Sequence, residues 1–291
     1  MGSYPRSGQF KIGAIDCWVV PDGAATYSPE VWLANASDAD RDSALAQRLA
    51  KDGKLRIPYN CLLVRSGGHL ALIDTGAGVE LAHEWEEPVG RAAKSLRSLG
   101  VSRKDIDVVI VSHAHPDHIG GLTTPPPTRR RPMFPRARHW FWASEWEAWT
   151  SKAAVTFFGE ALARPASVHL PVIAEAGLVD LADQETEALP GVRLLSAPGH
   201  TPGHMAVLLT SGREGAIYLG DAITDELLFE QPGWLTAFEA IPILSVATRW
   251  RLLERAVRER LTVAAFHLPA TGTVTNSGSS FQFHASRPDR Q

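Results

Sequence analysis

The chain has 291 residues, 44% hydrophobic and 21% charged, enough to bury a sizeable core and too apolar for wholesale disorder. Its 29 Lys and Arg against 32 Asp and Glu leave a formal net charge of -3, which argues against a nucleic-acid-binding surface as the main business. No stretch reaches the roughly twenty apolar residues of a membrane-spanning helix.

Residues 1–9 are polar and carry no apolar signal core, so a soluble, cytoplasmic protein without a membrane partner is expected. Residues 10–20 read as a first strand, closed by the turn signal Pro21-Asp22-Gly23. Residues 24–32 are loop-like, and the apolar spacing predicts a helix over 40–52. Residues 60–66, the pair Gly67-Gly68 and residues 69–74 form a predicted hairpin that ends at Asp74-Thr75-Gly76. A carboxylate there suits a loop-fixing role. Cys17 and Cys61 each lie in an apolar strand-like run and read as small buried residues. With no Cys-x-x-Cys pair, a finger-type structural zinc is excluded.

An amphipathic helix is predicted over 86–99, then a buried strand over 106–111. The strand opens into Ser112-His113-Ala114-His115-Pro116-Asp117-His118-Ile119-Gly120-Gly121. Three imidazoles and a carboxylate so close together have little use in a core, where each would need its own partner. Imidazole nitrogen and carboxylate oxygen are, however, normal ligands for zinc and its neighbours.

Residues 123–165 read as a Trp-rich lid or insertion in a single domain spanning 1–291. Within it Arg129-Arg130-Arg131 is a solvated loop, 138–141 a strand, 143–150 a short helix and 153–162 a further helical piece. Residues 192–196 form a strand leading into Ala197-Pro198-Gly199-His200-Thr201-Pro202-Gly203-His204, a loop stiffened by proline. Strands follow at 205–210 and 216–219, the second ending at Gly220-Asp221. A helix over 248–260 precedes a strand at 263–266 that ends at His267-Leu268-Pro269, and the tail from 277 packs as an edge strand.

Strand-end loops thus carry His113, His115, Asp117, His118, His200, Asp221 and His267. Parallel strands of one sheet would bring these ends together. Seven ligands exceed one tetrahedral zinc and suit two metals sharing a carboxylate. His204 reads as a hydrogen-bond partner inside its loop; His69, His83, His139, His169 and His284 read as surface or packing residues.

Taken in order, the His-x-His-x-Asp-His run at 113–118, Gly199-His200, Gly220-Asp221, His267-Leu268-Pro269 and Asp74-Thr75-Gly76 resemble the metallo-β-lactamase superfamily over about residues 10–283. The resemblance implies an α/β fold, a four-layer αβ/βα sandwich with two divalent metal ions at one edge. Zinc is expected, with Mn, Fe or Co as acceptable occupants. Carried over, His113, His115 and His200 hold one metal, Asp117, His118 and His267 the other, and Asp221 bridges them together with a hydroxide. Asp117 is then also the catalytic residue that passes a proton to the leaving group. Hydrolysis is the expected reaction and a small molecule the expected partner; a homodimer is the oligomer considered.

Within the superfamily the chain is most similar to the group of N-acyl-homoserine lactonases and methyl parathion hydrolase. The stretches carrying this are His115 to Leu122, Phe134-Pro135-Arg136-Ala137 and Gly220-Asp221-Ala222-Ile223-Thr224. Thr224 is a departure, since some lactonases place a catalytic tyrosine there. The competing enzyme readings are a β-lactamase and a glyoxalase-II-like thioesterase, the latter disfavoured by the lack of a basic carboxyl-terminal extension. The non-enzymatic readings are a metal-binding scaffold and a nucleic-acid-processing protein.

Overall fold

A computed structural model describes residues 8–127 and 129–286. Residues 1–7 of the polar amino terminus and the end of the polar tail lie outside them. The first sheet runs in chain order through β1 (Gln9–Ile12), β2 (Ile15–Tyr27), β3 (Leu55–Ser66), β4 (His69–Ile73), β5 (Val108–Ile110), β6 (Arg138–Trp142) and β7 (Val179–Ala182). The second runs from β8 (Thr186–Leu189) through β9 (Val192–Ser196), β10 (Met205–Ser211), β11 (Glu214–Tyr218), β12 (Thr262–Ala264) and β13 (Gly272–Asn276) to the edge strand β14 (Phe281–Ala285). The ten α-helices among the described residues are α1 (Pro29–Trp32), α2 (Asp38–Leu45), α3 (Gly78–Glu84), α4 (Ala92–Ser98), α5 (Pro116–Ile119), α6 (Ala143–Thr150), α7 (Ala154–Phe158), α8 (Glu160–Glu175), α9 (Leu227–Glu230) and α10 (Pro242–Glu259).

The strands alternate between two apolar layers. Ile15, Val64, Leu194 and Val207 join one core cluster fed by both sheets. Their neighbours Leu195 and Leu208, with Ile217 and Val263, join a second cluster with Leu252, Leu253 and Ala256 of α10. Strands buried on both faces read as continuous apolar runs, and that is how they stood in the sequence. The result is the expected αβ/βα sandwich. None of the described helices is long and apolar enough to cross a membrane.

Several boundaries differ from expectation. The chain does not turn at Pro21-Asp22-Gly23: β2 continues to Tyr27 through a bulge between Pro21 and Gly23. Proline has no N–H to give a ladder, and Gly23 sits at φ +143° with the Pro88 carbonyl oxygen 2.0 Å from where a Cβ would stand. The bulge leaves Asp22 fully buried, accepting N–H bonds from Ala77 (3.0 Å), Gly90 (2.9 Å) and Ala92 (2.8 Å). Those bonds, with the Arg91 N–H on the Asp22 backbone carbonyl (2.9 Å), commit residues 90–92 to Asp22, so the helix expected over 86–99 begins only at α4. The predicted helix over 153–162 is two helices, of which α8 runs on to Glu175 with Pro165 and Pro171 inside it. Of the 123–165 stretch, β6 is an interior strand paired with β5 and β7, while the connection before it and the helices after it lie outside the sheet.

Candidate metal centre

Asp74 leaves β4 at φ 60°, a left-handed conformation that turns its carboxylate back under the next loop. Oδ1 accepts the Ser112 N–H at 2.8 Å, and Oδ2 accepts the Ser112 hydroxyl at 2.8 Å and the Tyr218 hydroxyl at 2.9 Å. The same Oδ2 lies 2.9 Å from His118 Nδ1. The loop after β5 closes tightly on this frame. Thr75 gives both its N–H (2.9 Å) and its hydroxyl (2.8 Å) to the His118 carbonyl oxygen. A Cβ on Gly120 would stand 1.9 Å from the Ala77 carbonyl oxygen, so no other residue fits there without moving the backbone.

The seven residues singled out in the sequence converge. They come from both sheets rather than one: His113, His115, Asp117 and His118 follow β5, whereas His200, Asp221 and His267 follow β9, β11 and β12. The sheets are tied beneath the site by Met205 N–H to the Ser112 carbonyl (2.8 Å) and Asn60 N–H to the Phe266 carbonyl (2.8 Å). Potential ligand atoms fall into two groups, His113, His115, His200 and Asp221, and Asp117, His118 and His267, each within 4.8 Å. Asp221 touches both. Its Oδ2 lies 3.3 Å from His200 Nε2 and 3.2 Å from His267 Nε2, while Oδ1 lies 3.2 Å from His118 Nε2. His115 Nδ1 is 3.0 Å from both His113 Nε2 and His200 Nε2.

This arrangement suits cations. Four of the five histidines have an acceptor at the outward nitrogen: Ser112 Oγ for His113 (3.1 Å), Asp74 for His118, Glu239 Oε2 for His200 (3.1 Å) and the Pro58 carbonyl for His267 (3.1 Å). A proton fixed on the outer nitrogen leaves a lone pair on the inner one. Burial, then the nearby His118 and His200, holds His113 and His115 well below the usual imidazole range. Burial by itself would raise Asp221, but His267, His118 and His113 outweigh it and hold that carboxyl well below its usual range. Finally, His118 Nε2 and Asp221 Oδ1 are buried without a hydrogen-bond partner among the described residues. Lone pairs facing one another around an ionised carboxylate, with orphaned atoms at the middle, fit divalent metal ions.

Several supporting residues escaped the sequence reading. Glu145 of α6 is fully buried and accepts from Ala114 N (2.8 Å), Trp149 Nε1 (2.7 Å), Thr201 Oγ1 (2.7 Å) and Gly203 N (2.9 Å), joining the two histidine-bearing loops. Glu239, which orients His200, also accepts the Ser245 hydroxyl at 2.7 Å and lies 3.8 Å from the buried Arg249 guanidinium. Arg249 in turn donates to the Ala222 carbonyl at 2.8 Å, bracing the turn that carries Asp221. A glutamate in a Trp-rich helix and an arginine in an amphipathic one carry no sequence signal for this. His204 is a hydrogen-bond partner, as expected, and outside both ligand groups.

Above the centre opens a cavity of about 380 Å³, with His115, Asp117, Asp221 and His267 in its lining and Tyr27, Trp32, Trp85, Leu162 and Phe238 as apolar walls. Thr224 also lines it, its hydroxyl buried without a partner among the described residues.

Residues 56–258 match the family model of the metallo-beta-lactamase superfamily, and the chain belongs to that family. It is a metal-dependent hydrolase. An N-acyl homoserine lactonase from Bacillus sp is 26% identical over 247 residues, covering 77% of this chain and 87% of the relative. Among solved structures, AidC, a dizinc quorum-quenching lactonase in complex with a product, is 25% identical with a TM-score of 0.84, covering 97% of this chain and 98% of the other. The hydrolase AbOPH shares the fold at 21% identity, with a TM-score of 0.86 and coverage of 98% and 99%.

Proposed function

We propose that the protein opens the ester bond of a small, partly apolar lactone, using two zinc ions held by the residues above. His113, His115 and His200 would hold one ion, Asp117, His118 and His267 the other, and Asp221 would be shared. The observation that carries the reading is the carboxylate of Asp221 in reach of both donor groups at an apolar-walled cavity. Two such cations supply Lewis acidity and a water that ionises near neutral pH. The chain does the rest. Tyr27, Trp32, Trp85, Leu162 and Phe238 remove an acyl chain from water and fix the carbonyl over the centre. The Asp117 carboxylate, facing the same cavity, takes a proton from water and returns it to the departing alkoxide oxygen. Helices α6 to α8 are read as the cover, since Leu162 of α8 reaches the cavity wall.

Support for a lactone comes from the relatives, whose names describe N-acyl homoserine lactonases. The test is zinc-loaded protein assayed against N-acyl-homoserine lactones, aryl esters, phosphotriesters, nitrocefin and acyl thioesters. Lactones should give the highest kcat/KM. Preference for nitrocefin or thioesters, or turnover of none, overturns the reading.

A further inference from the structure

Tyr27 and Tyr59 lie on the paired strands β2 and β3, and their hydroxyls are hydrogen-bonded to each other. Two phenols have two protons and share one bond, and neither has another partner among the described residues. One proton is therefore left over. Tyr59 is fully buried, its ring tilted on Phe266 at 5.3 Å and edge-on to His267 at 5.1 Å. Tyr27 is half-buried and lines the cavity, its ring set by Trp32 at 4.7 Å and Phe238 at 6.0 Å. When Tyr59 donates to Tyr27, the spare proton belongs to the phenol facing the cavity.

Three other polar donors of that wall are already committed. Trp32 Nε1 goes to Asp225 at 3.0 Å, the Thr26 hydroxyl goes to Glu87, and the Thr236 hydroxyl faces Glu239 at 3.4 Å. The Thr224 hydroxyl is sealed from solvent. Burial, and after it the negative charge of Asp117, pushes the Tyr27 phenol upward from its usual range, so it stays protonated at working pH.

We propose that Tyr27 is a catalytic residue: its hydroxyl, polarised by Tyr59, donates a hydrogen bond to the substrate oxygen on which negative charge builds as the ester is attacked. The proton stays on the phenol and no bond to it forms or breaks. Tyr59 is a positioning residue, acting only through Tyr27. A preorganised donor of this kind strengthens as charge develops, so its loss falls on kcat rather than on KM. This rests on the ester-opening reading above.

The test compares Tyr27→Phe and Tyr59→Phe with the wild type on the ester or lactone that the wild type hydrolyses best, with metal content measured alongside. Tyr27→Phe should lower kcat about a hundredfold with KM and metal per chain unchanged. Tyr59→Phe should lower it severalfold, since the donor remains but its orienting partner is gone. A Tyr27→Phe kcat within twofold of wild type, a change in KM alone, or a parallel loss of metal overturns the proposal. A wild type inert towards every ester and lactone instead sinks the reading on which it rests, a result seen before any variant is compared.

Discussion

His204 Nε2 accepts the backbone N–H of Asp221 at 2.9 Å, while its Nδ1 lies 3.0 Å from the Ala197 carbonyl oxygen. The bond pattern puts the imidazole proton on Nδ1 and makes the ring a spacer between the 197–204 loop and the turn that offers the shared carboxylate. His204→Leu keeps the bulk and removes both bonds. Metal affinity, measured by competition with a chromophoric chelator, should fall ten- to a hundredfold while the far-ultraviolet circular dichroism is unchanged. Undiminished affinity would show that the turn holds itself.

Glu145 offers a second check. A glutamine oxygen at this position cannot accept from four donors, and its amide N–H₂ would confront donors in turn. Glu145→Gln should cost roughly 2–4 kcal/mol in urea-induced unfolding. A cost below about 0.5 kcal/mol, the level of an ordinary surface change, would mean the carboxylate is not what joins the loops.

The stability of the protein should also carry the mark of His139. Buried on β6, its imidazole is pushed down to about 4 by desolvation. An unfolded chain titrates histidine near 6.5, so between these values the unfolded state binds the extra proton and stability falls as pH drops. The contribution lost from about pH 6.5 to about pH 4 is of the order of 3 kcal/mol. His139→Leu should flatten the acid limb of a plot of unfolding free energy against pH. An unchanged slope would place the titration elsewhere.

Metal removal gives a fourth test. Stripping with a chelator should abolish hydrolysis and lower the melting temperature, because ligands that bind only the folded state stabilise it by mass action. Restoring zinc to a hundred times its dissociation constant should return about 2.7 kcal/mol for each site filled. Equal melting temperatures with and without metal would contradict the assignment of these side chains as ligands.

The ligating candidates were legible because their signal is local: His113 to His118 are adjacent, and His200, Asp221 and His267 each sit where an apolar run stops. The fold followed from the same runs. What could not be read was the support, since Asp22, Glu145, Glu239 and Arg249 bond mainly to backbone groups or to residues far away in the chain. Backbone donors leave no residue type to recognise. Helix limits failed where a rule of thumb met its exception, as with Pro165 and Pro171 inside α8, or where a buried carboxylate claimed the N–H groups a helix would have used. The two-sheet origin of the ligands was hidden for a related reason: sequence order says that strands end, not which sheet they end in.

That division has a mechanical corollary. Four candidate ligands ride on one sheet and three on the other, so sliding one sheet against its neighbour by even an ångström would reset the spacing between donor groups. A loaded centre would act as a rivet between two plates, and a fragment containing only one plate would lack half the coordination shell. Cofactor supply and cooperative unfolding would then be the same variable viewed from two ends.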